Sequence, residues 1–167
     1  MELKDQAIIV TGGASGIGRE ACLALARMGA AIVVADFNAE GAAKVAEAVK
    51  ALGVAAHSFK VDGSVASRGN FNYNAAKAAV IAMTRSGALE LAEHGIRVVG
   101  IAPGYIDTPI LGTDKGVKEQ LAAQHMHREL IAPEKVASVA AYLFTDAAEA
   151  INGSTVPVDD GFLAFKE

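Results

Sequence analysis

Short apolar runs alternate with longer amphipathic ones along most of this 167-residue chain. Ala7–Val10, Ala31–Ala35, Ala55–Val61, Arg97–Ala102 and Thr155–Val158 have the length and apolar content of β-strands. Ile17–Met28, Ala39–Leu52, Tyr73–Glu93 and Pro133–Phe144 carry their apolar residues at helical spacing. Pro133 suits the first turn of the last helix, where no backbone N–H is needed. Polar His57 and Lys60 within the third strand place that strand at a sheet edge. Gly29, Gly53 and Gly95 each follow a helix and precede a strand, where a left-handed residue ends the helix. Ser64–Asn70 and Gly112–Gly116 read as loops, the second a candidate lid. Regular strand–helix alternation predicts an α/β fold with a doubly wound parallel sheet covered on both faces. No repeat or linker interrupts it, so residues 1–167 are expected to form one domain.

Composition narrows the classes. A hydrophobic content of 52% excludes a disordered chain, and its Ala, Val, Ile, Leu and Gly suit parallel strands buried under closely packed helices. The net charge is −4 and the basic residues are scattered, which leaves no footprint for nucleic acid or an anionic membrane. Cys22, the single cysteine, sits in an apolar helical stretch and reads as a small buried hydrophobe. The apolar run Ala7–Val10 is too short for a signal peptide or a membrane span. A cytoplasmic protein with no membrane partner is the expectation.

The most informative segment joins the first strand to the first helix: Thr11-Gly12-Gly13-Ala14-Ser15-Gly16-Ile17-Gly18. Glycines in that position permit a tight turn, close approach of backbone to a pyrophosphate, and close helix–strand packing. The helix N-terminus adds unpaired N–H groups and a positive dipole end for phosphates. Thr11, Gly12, Ser15, Gly16, Ile17 and Gly18 are therefore candidate cofactor-binding residues. Asp36 ends the second strand, where an acid can hold the adenosine ribose hydroxyls and repel a 2′-phosphate. Phe37 and Asn38 follow it rather than Arg, so NAD is preferred over NADP, with Phe37 counted in the same site. Asp36 also stands where an N-cap for the next helix is needed, and the two roles are compatible.

Tyr73-Asn74-Ala75-Ala76-Lys77 opens the long helix. Positions i and i+4 share a face, so a phenol and an ammonium can meet one ligand. A nearby ammonium favours the phenolate, and moving a Tyr from about 10 towards 7 corresponds to about 4 kcal/mol of differential stabilisation. No metal site is expected. His125 and His127, two apart on an expected helix, point to different faces and read as surface residues. His57 and His94 have no partners in the sequence, and Asp159-Asp160 reads as a terminal turn.

In order, the glycine segment, Asp36, Tyr73-x-x-x-Lys77, Pro103-Gly104-Tyr105-Ile106-Asp107-Thr108 and Gly153-Ser154-Thr155-Val156-Pro157-Val158-Asp159-Asp160-Gly161 resemble the short-chain dehydrogenase/reductase family. The resemblance runs from the first strand nearly to the C-terminus. It implies a Rossmann-like fold and hydride transfer between a nicotinamide cofactor and a secondary alcohol or ketone. By the same resemblance Tyr73 is the acid/base, while Lys77 holds the nicotinamide ribose and lowers the Tyr pKa. Asp62 contacts adenine. The Ile106 backbone and Thr108 hold the nicotinamide carboxamide, with Pro103 and Gly104 in the same cofactor site.

One departure is large. The family's Asn-Asn-Ala-Gly strand, and the strand ending in a catalytic Ser, should both precede the Tyr. Here only about ten residues separate Asp62 from Tyr73, and a single strand–helix crossover already needs that many. Two strand–helix units are missing. Gly63-Ser64-Val65-Ala66-Ser67 has two readings: the end of the Ser strand, which makes Ser64 the oxyanion partner, or the turn after the third strand. The remaining strands can still form a sheet of about five strands in the order 3-2-1-4-5. The required shift is roughly 15 Å and ten extended residues reach about 33 Å. The Tyr73 helix then loses its neighbouring helix, and its apolar surface favours a homo-oligomer. Two functions stay open: an NAD-dependent oxidoreductase, or a catalytically impaired dinucleotide-binding remnant.

Overall fold

The computed structural model describes residues 3–60 and 70–164, with backbone alone for 70–76. The first half is a strand–helix alternation: β1 (Ala7–Thr11), α1 (Gly16–Arg27), β2 (Ala31–Asp36), α2 (Ala39–Lys50) and β3 (Ala56–Lys60). The three strands are parallel in the order β1-β2-β3, and β3 is an edge, as His57 and Lys60 foretold. Register sets which side chains meet. Ile8 lies beside Ile32 and Val10 beside Val34, and α1 and α2 pack over the sheet on that side. Ala21, Cys22, Leu25 and Ala26 of α1 and Ala42, Val45, Ala46 and Val49 of α2 are the buried stripes that meet it. Leu25, Ile32, Val34 and Val49 are all but inaccessible, each burial contributing about 1.5–3 kcal/mol. Burial also pushes the Cys22 thiol up to about 11, so it behaves as the apolar filler its sequence context implies. On the opposite face of the sheet Ile9 and Phe59 stand exposed.

The second half contains α3 (Asn70–Leu91), β4 (Gly100–Pro103), α4 (Lys115–Ala122), α5 (Pro133–Leu143) and β5 (Thr155–Val158), with β4 and β5 parallel. Three boundaries differ from expectation. β4 starts at Gly100 because Arg97 is drawn out of the strand: its guanidinium donates to the carbonyls of Leu143 (2.7 Å), Ile151 (3.0 Å) and Ala148 (3.2 Å). The Val98 amide, in turn, donates to the Asn152 side chain (2.9 Å). The expected loop 112–116 is cut short, because Asp114 caps α4 by accepting from the Val117 amide (3.2 Å). Finally, α4 ends at Ala122, so His125 and His127 stand on turns rather than a helix.

The expected neighbours 3-2-1 and 4-5 are both present, yet among the described residues no ladder joins β1 to β4. The halves meet instead through helices. α5 packs along α1, and Ala141 of α5 enters the hydrophobic cluster of the first half. Beside β4 lies a cleft of about 530 Å³, lined by Arg97, Val99 and Ile101, with Leu143 and Phe144 from the end of α5 and Gln6 from the segment before β1. α3 carries the bare apolar surface that loss of a neighbour predicts: Met83 is 61% and Leu89 82% exposed. Among the described residues no helix is long and apolar enough to cross a membrane.

Candidate functional site

The glycine loop is held open at the C-terminal ends of β1 and β2, where ligands of open α/β sheets bind. Gly12 adopts φ +68°, and no atom lies within 4 Å of the position a Cβ would take there. Gly18 packs the start of α1 against the Gly12 carbonyl so tightly that a Cβ would overlap it. Ser15 precedes α1 in extended conformation and makes no side-chain cap bond, which leaves the helix N-terminus facing outward with its donors. This is the open space and donor set a pyrophosphate requires.

Asp36 fastens the loop to β2. One carboxylate oxygen accepts from the Ala14 amide (2.9 Å) and the other from the Asn38 amide (2.8 Å). The N-cap of α2 is Asn38, which accepts from Gly41 (3.0 Å), so the capping role considered for Asp36 belongs to its neighbour. Phe37 is 66% exposed beside it. Lys60, the register partner of Asp36 on β3, extends over the Phe37 ring at 5.8 Å from its centroid. The sequence offered no cue to that pairing, because it depends on strand register across the sheet.

The segment after β4 approaches the same loop. Pro103 ends β4, and the Gly104 amide donates to Val158 (3.1 Å). Ile106 pairs with Ile131 in an isolated parallel bridge: the Asp107 amide donates to the Ile131 carbonyl (2.9 Å), and the Ile131 amide to Tyr105 (3.0 Å). That alternation turns the N–H and C=O of Ile106 itself to the opposite side. Thr108 then lies against the glycine loop, its Cγ2 3.1 Å from where a Gly16 Cβ would sit. The structure therefore brings Thr108 to Gly16 of the glycine loop, which Asp36 ties to β2. Asp107 also pairs with Lys118 of α4 (2.6 Å).

Tyr73 and Lys77 lie one turn apart on α3, whose backbone is helical from Asn70, and Lys77 is exposed. Asp62 and Ser64 lie outside the described residues, as does the side chain of Tyr73. His125 corrects an expectation. It is 3% exposed, not a surface residue, because the turn after α4 folds inward under Tyr105. No periodicity marks such a turn. His127 is exposed and pairs with Asp160 (2.6 Å). That contact raises the His127 pKa and lowers that of Asp160, hydrogen bonding to the partner leading in each case.

Comparison with known proteins agrees with this architecture. A short chain dehydrogenase family model matches residues 6–68, and an enoyl-(acyl carrier protein) reductase model of the same kind matches residues 61–163. The chain belongs to the short-chain dehydrogenase/reductase family. It is 42% identical over 103 residues to cis-4-hydroxycyclohexanecarboxylate dehydrogenase of Sinomonas cyclohexanicum, a match covering 61% of this chain and 41% of that one. It is 45% identical over 94 residues to galactitol 2-dehydrogenase of Rhizobium johnstonii, covering 54% and 36%. The matched stretches thus span about two fifths of those relatives' lengths. Cyclohexanol dehydrogenase of Acinetobacter sp. aligns at 26% identity over 243 positions, covering 96% of both chains. That alignment is longer than this chain, so the relative carries residues that are missing here. Among solved structures, an NADP-bound protein from Beutenbergia cavernae, described as an NAD(P)-dependent gluconate 5-dehydrogenase, superposes with a TM-score of 0.88 at 22% identity, covering 98% of this chain and 99% of that one. A short-chain type dehydrogenase/reductase from Mycobacterium marinum gives 0.88 at 19% identity, covering 96% of each. Both likenesses show the Rossmann-like α/β fold.

Proposed function

We propose that this chain is one NAD-binding domain and an oxidoreductase acting on a secondary alcohol or its ketone. The observation that carries the reading is the contact of Thr108 with the glycine loop at Gly16, which closes one continuous binding surface from Asp36 to Ile106. Gly12, Ser15, Gly16, Ile17 and Gly18 would cradle the pyrophosphate. Thr11, Asp36 and Phe37 would flank the adenosine, with Asp62 on the adenine, and Pro103, Gly104, the Ile106 backbone and Thr108 would hold the nicotinamide end. Bound there, the cofactor supplies a hydride acceptor or donor. Tyr73 takes the hydroxyl proton of an alcohol, or returns it to a ketone oxygen, and Lys77 favours the phenolate. Ser64 is the proposed oxyanion partner. NAD is preferred because the Asp36 carboxylate opposes a 2′-phosphate; Lys60 beside it moderates that preference. A cytoplasmic location, and self-association through the exposed face of α3, belong to the same proposal.

The lack of a ladder between β1 and β4 among the described residues favours a second reading, dinucleotide binding without turnover. Thermal shift with NAD(H), combined with NADH absorbance across an alcohol panel, separates the two. Turnover abolished by Tyr73→Phe supports the oxidoreductase. A shift with no turnover, unchanged by Tyr73→Phe, supports the second reading, and no shift at all sinks both.

A further inference from the structure

We infer that His125 is a positioning residue that sets the segment Tyr105–Thr108 against the glycine loop; its bearing on cofactor affinity rests on the dinucleotide reading above. The ring is buried (3% exposed), and both nitrogens are engaged by backbone. Nε2 accepts from the Tyr105 amide (3.0 Å) and Nδ1 donates to the Glu129 carbonyl (2.6 Å). An amide can only donate and a carbonyl can only accept, so these two partners define the tautomer: the proton is on Nδ1. A side chain that must accept at one end and donate at the other, across a ring's width, is replaced by few others.

The surroundings show that the ring is built in. A Cβ on Gly104 would stand 2.6 Å from Nε2 and 3.1 Å from Asp159 Cα, so glycine there lets the loop backbone lie directly on the imidazole. Tyr105 and Phe162 meet edge to face at 5.3 Å, with the His125 ring 5.8 and 6.3 Å from them. The turn bearing His125 is itself bolted to the C-terminal turn. The Met126 amide donates to the Asp160 carbonyl (3.0 Å), and the His127 amide to the Asp160 carboxylate (2.8 Å). From Tyr105 the chain runs through the Ile106–Ile131 bridge to Thr108 at Gly16. His125 thus links the C-terminal turn to the wall of the proposed nicotinamide site without facing that site itself.

The test compares His125→Gln with His125→Asn in the full chain. A Gln carbonyl can reach the Nε2 position and accept from Tyr105; an Asn amide reaches only the Nδ1 position. Hydrogen exchange of the Tyr105 amide should be about tenfold faster in H125N and near wild type in H125Q, with β1–β3 amides unchanged in both. H125N should weaken NAD⁺ binding by about three- to tenfold yet leave ADP-ribose, which lacks nicotinamide, unaffected. Gly104→Ala, which pushes the ring aside from the other partner, should reproduce H125N. Equal exchange at Tyr105 in H125N and H125Q, or equal weakening of NAD⁺ and ADP-ribose by H125N, overturns the proposal. Should wild type bind neither ligand, the dinucleotide reading fails, and the exchange comparison still decides the role of His125.

Discussion

Every member of the main hydrophobic cluster except Ala141 lies between Leu3 and Ala56, whereas β4 and β5 contain no fully buried residue. The first half holds itself together by apolar packing of α1 and α2 on a three-stranded sheet. The second half buries fewer apolar side chains, chiefly Val136, Ala137 and Leu143 of α5, and adds polar ties: Arg97 to three carbonyls, Asn152 to Val98, His125 to Tyr105 and Glu129. It also leans on the first through α5 against α1. Such ties are directional and contribute modestly one by one, while apolar burial is additive and tolerant of geometry. The contrast follows from the interruption between the halves. A strand buried on both faces and both edges needs neighbours, and among the described residues β4 has a ladder partner, β5, on one edge only. The glycine-loop end of the proposed cofactor site should therefore be the more rigid, and the end formed by Pro103–Thr108 the more sensitive to distant substitutions.

The contrast can be broken at its strongest point first. Leu25→Ala, at 1% exposure in the core of the first half, should cost about 3 kcal/mol in urea denaturation, against about 1 kcal/mol for Ile101→Ala on half-exposed β4. Equal costs would erase the distinction. Next, Arg97→Ala removes three carbonyl partners and should destabilise by about 2 kcal/mol, most of it local. Amide exchange should accelerate in β4 and β5 while β1–β3 stay protected. Asp36→Ala frees the Ala14 amide, and calorimetry should show NAD⁺ binding weakened about tenfold, or ~1.4 kcal/mol, with less discrimination against NADP⁺.

Smaller effects test the surfaces. Leu89→Lys on the exposed face of α3 should change unfolding free energy by less than about 0.5 kcal/mol, yet shift sedimentation to a smaller species. The smallest effect is the pH response of His127 with Asp160. The His127 pKa is raised, so its contribution is complete below about 6.5 and lost as pH rises through the folded value. That of Asp160 is lowered, so its contribution is present above about 4 and lost as pH falls through the folded value. Their shared window lies between those limits. NMR titration should find the His127 pKa falling towards its ordinary value in Asp160→Asn.

Much of the first half was legible before any coordinates. The strands, helices and edge position of β3 follow from periodicity, and the glycine loop from its place between β1 and α1. Local rules suffice there because the elements are consecutive and each packs on its sequence neighbour. Arg97 was legible only as a strand start, since its three carbonyl partners lie far along the chain. Lys60 over Phe37 needed strand register, and His125 needed the fold of an aperiodic turn.

By itself, then, the sequence determined the α/β alternation, the glycine loop with its acid, the family and the shortening between the third strand and the Tyr73 helix, since each is written in local spacing and motif order. Only the tertiary structure decided that, among the described residues, the strands ladder as β1-β2-β3 and β4-β5 with no ladder between β1 and β4. It also decided that Thr108 meets Gly16, and that a histidine read as surface is buried beneath Tyr105. Those outcomes depend on α5 docking on α1 and on hydrogen bonds between distant segments, which no short-range pattern encodes.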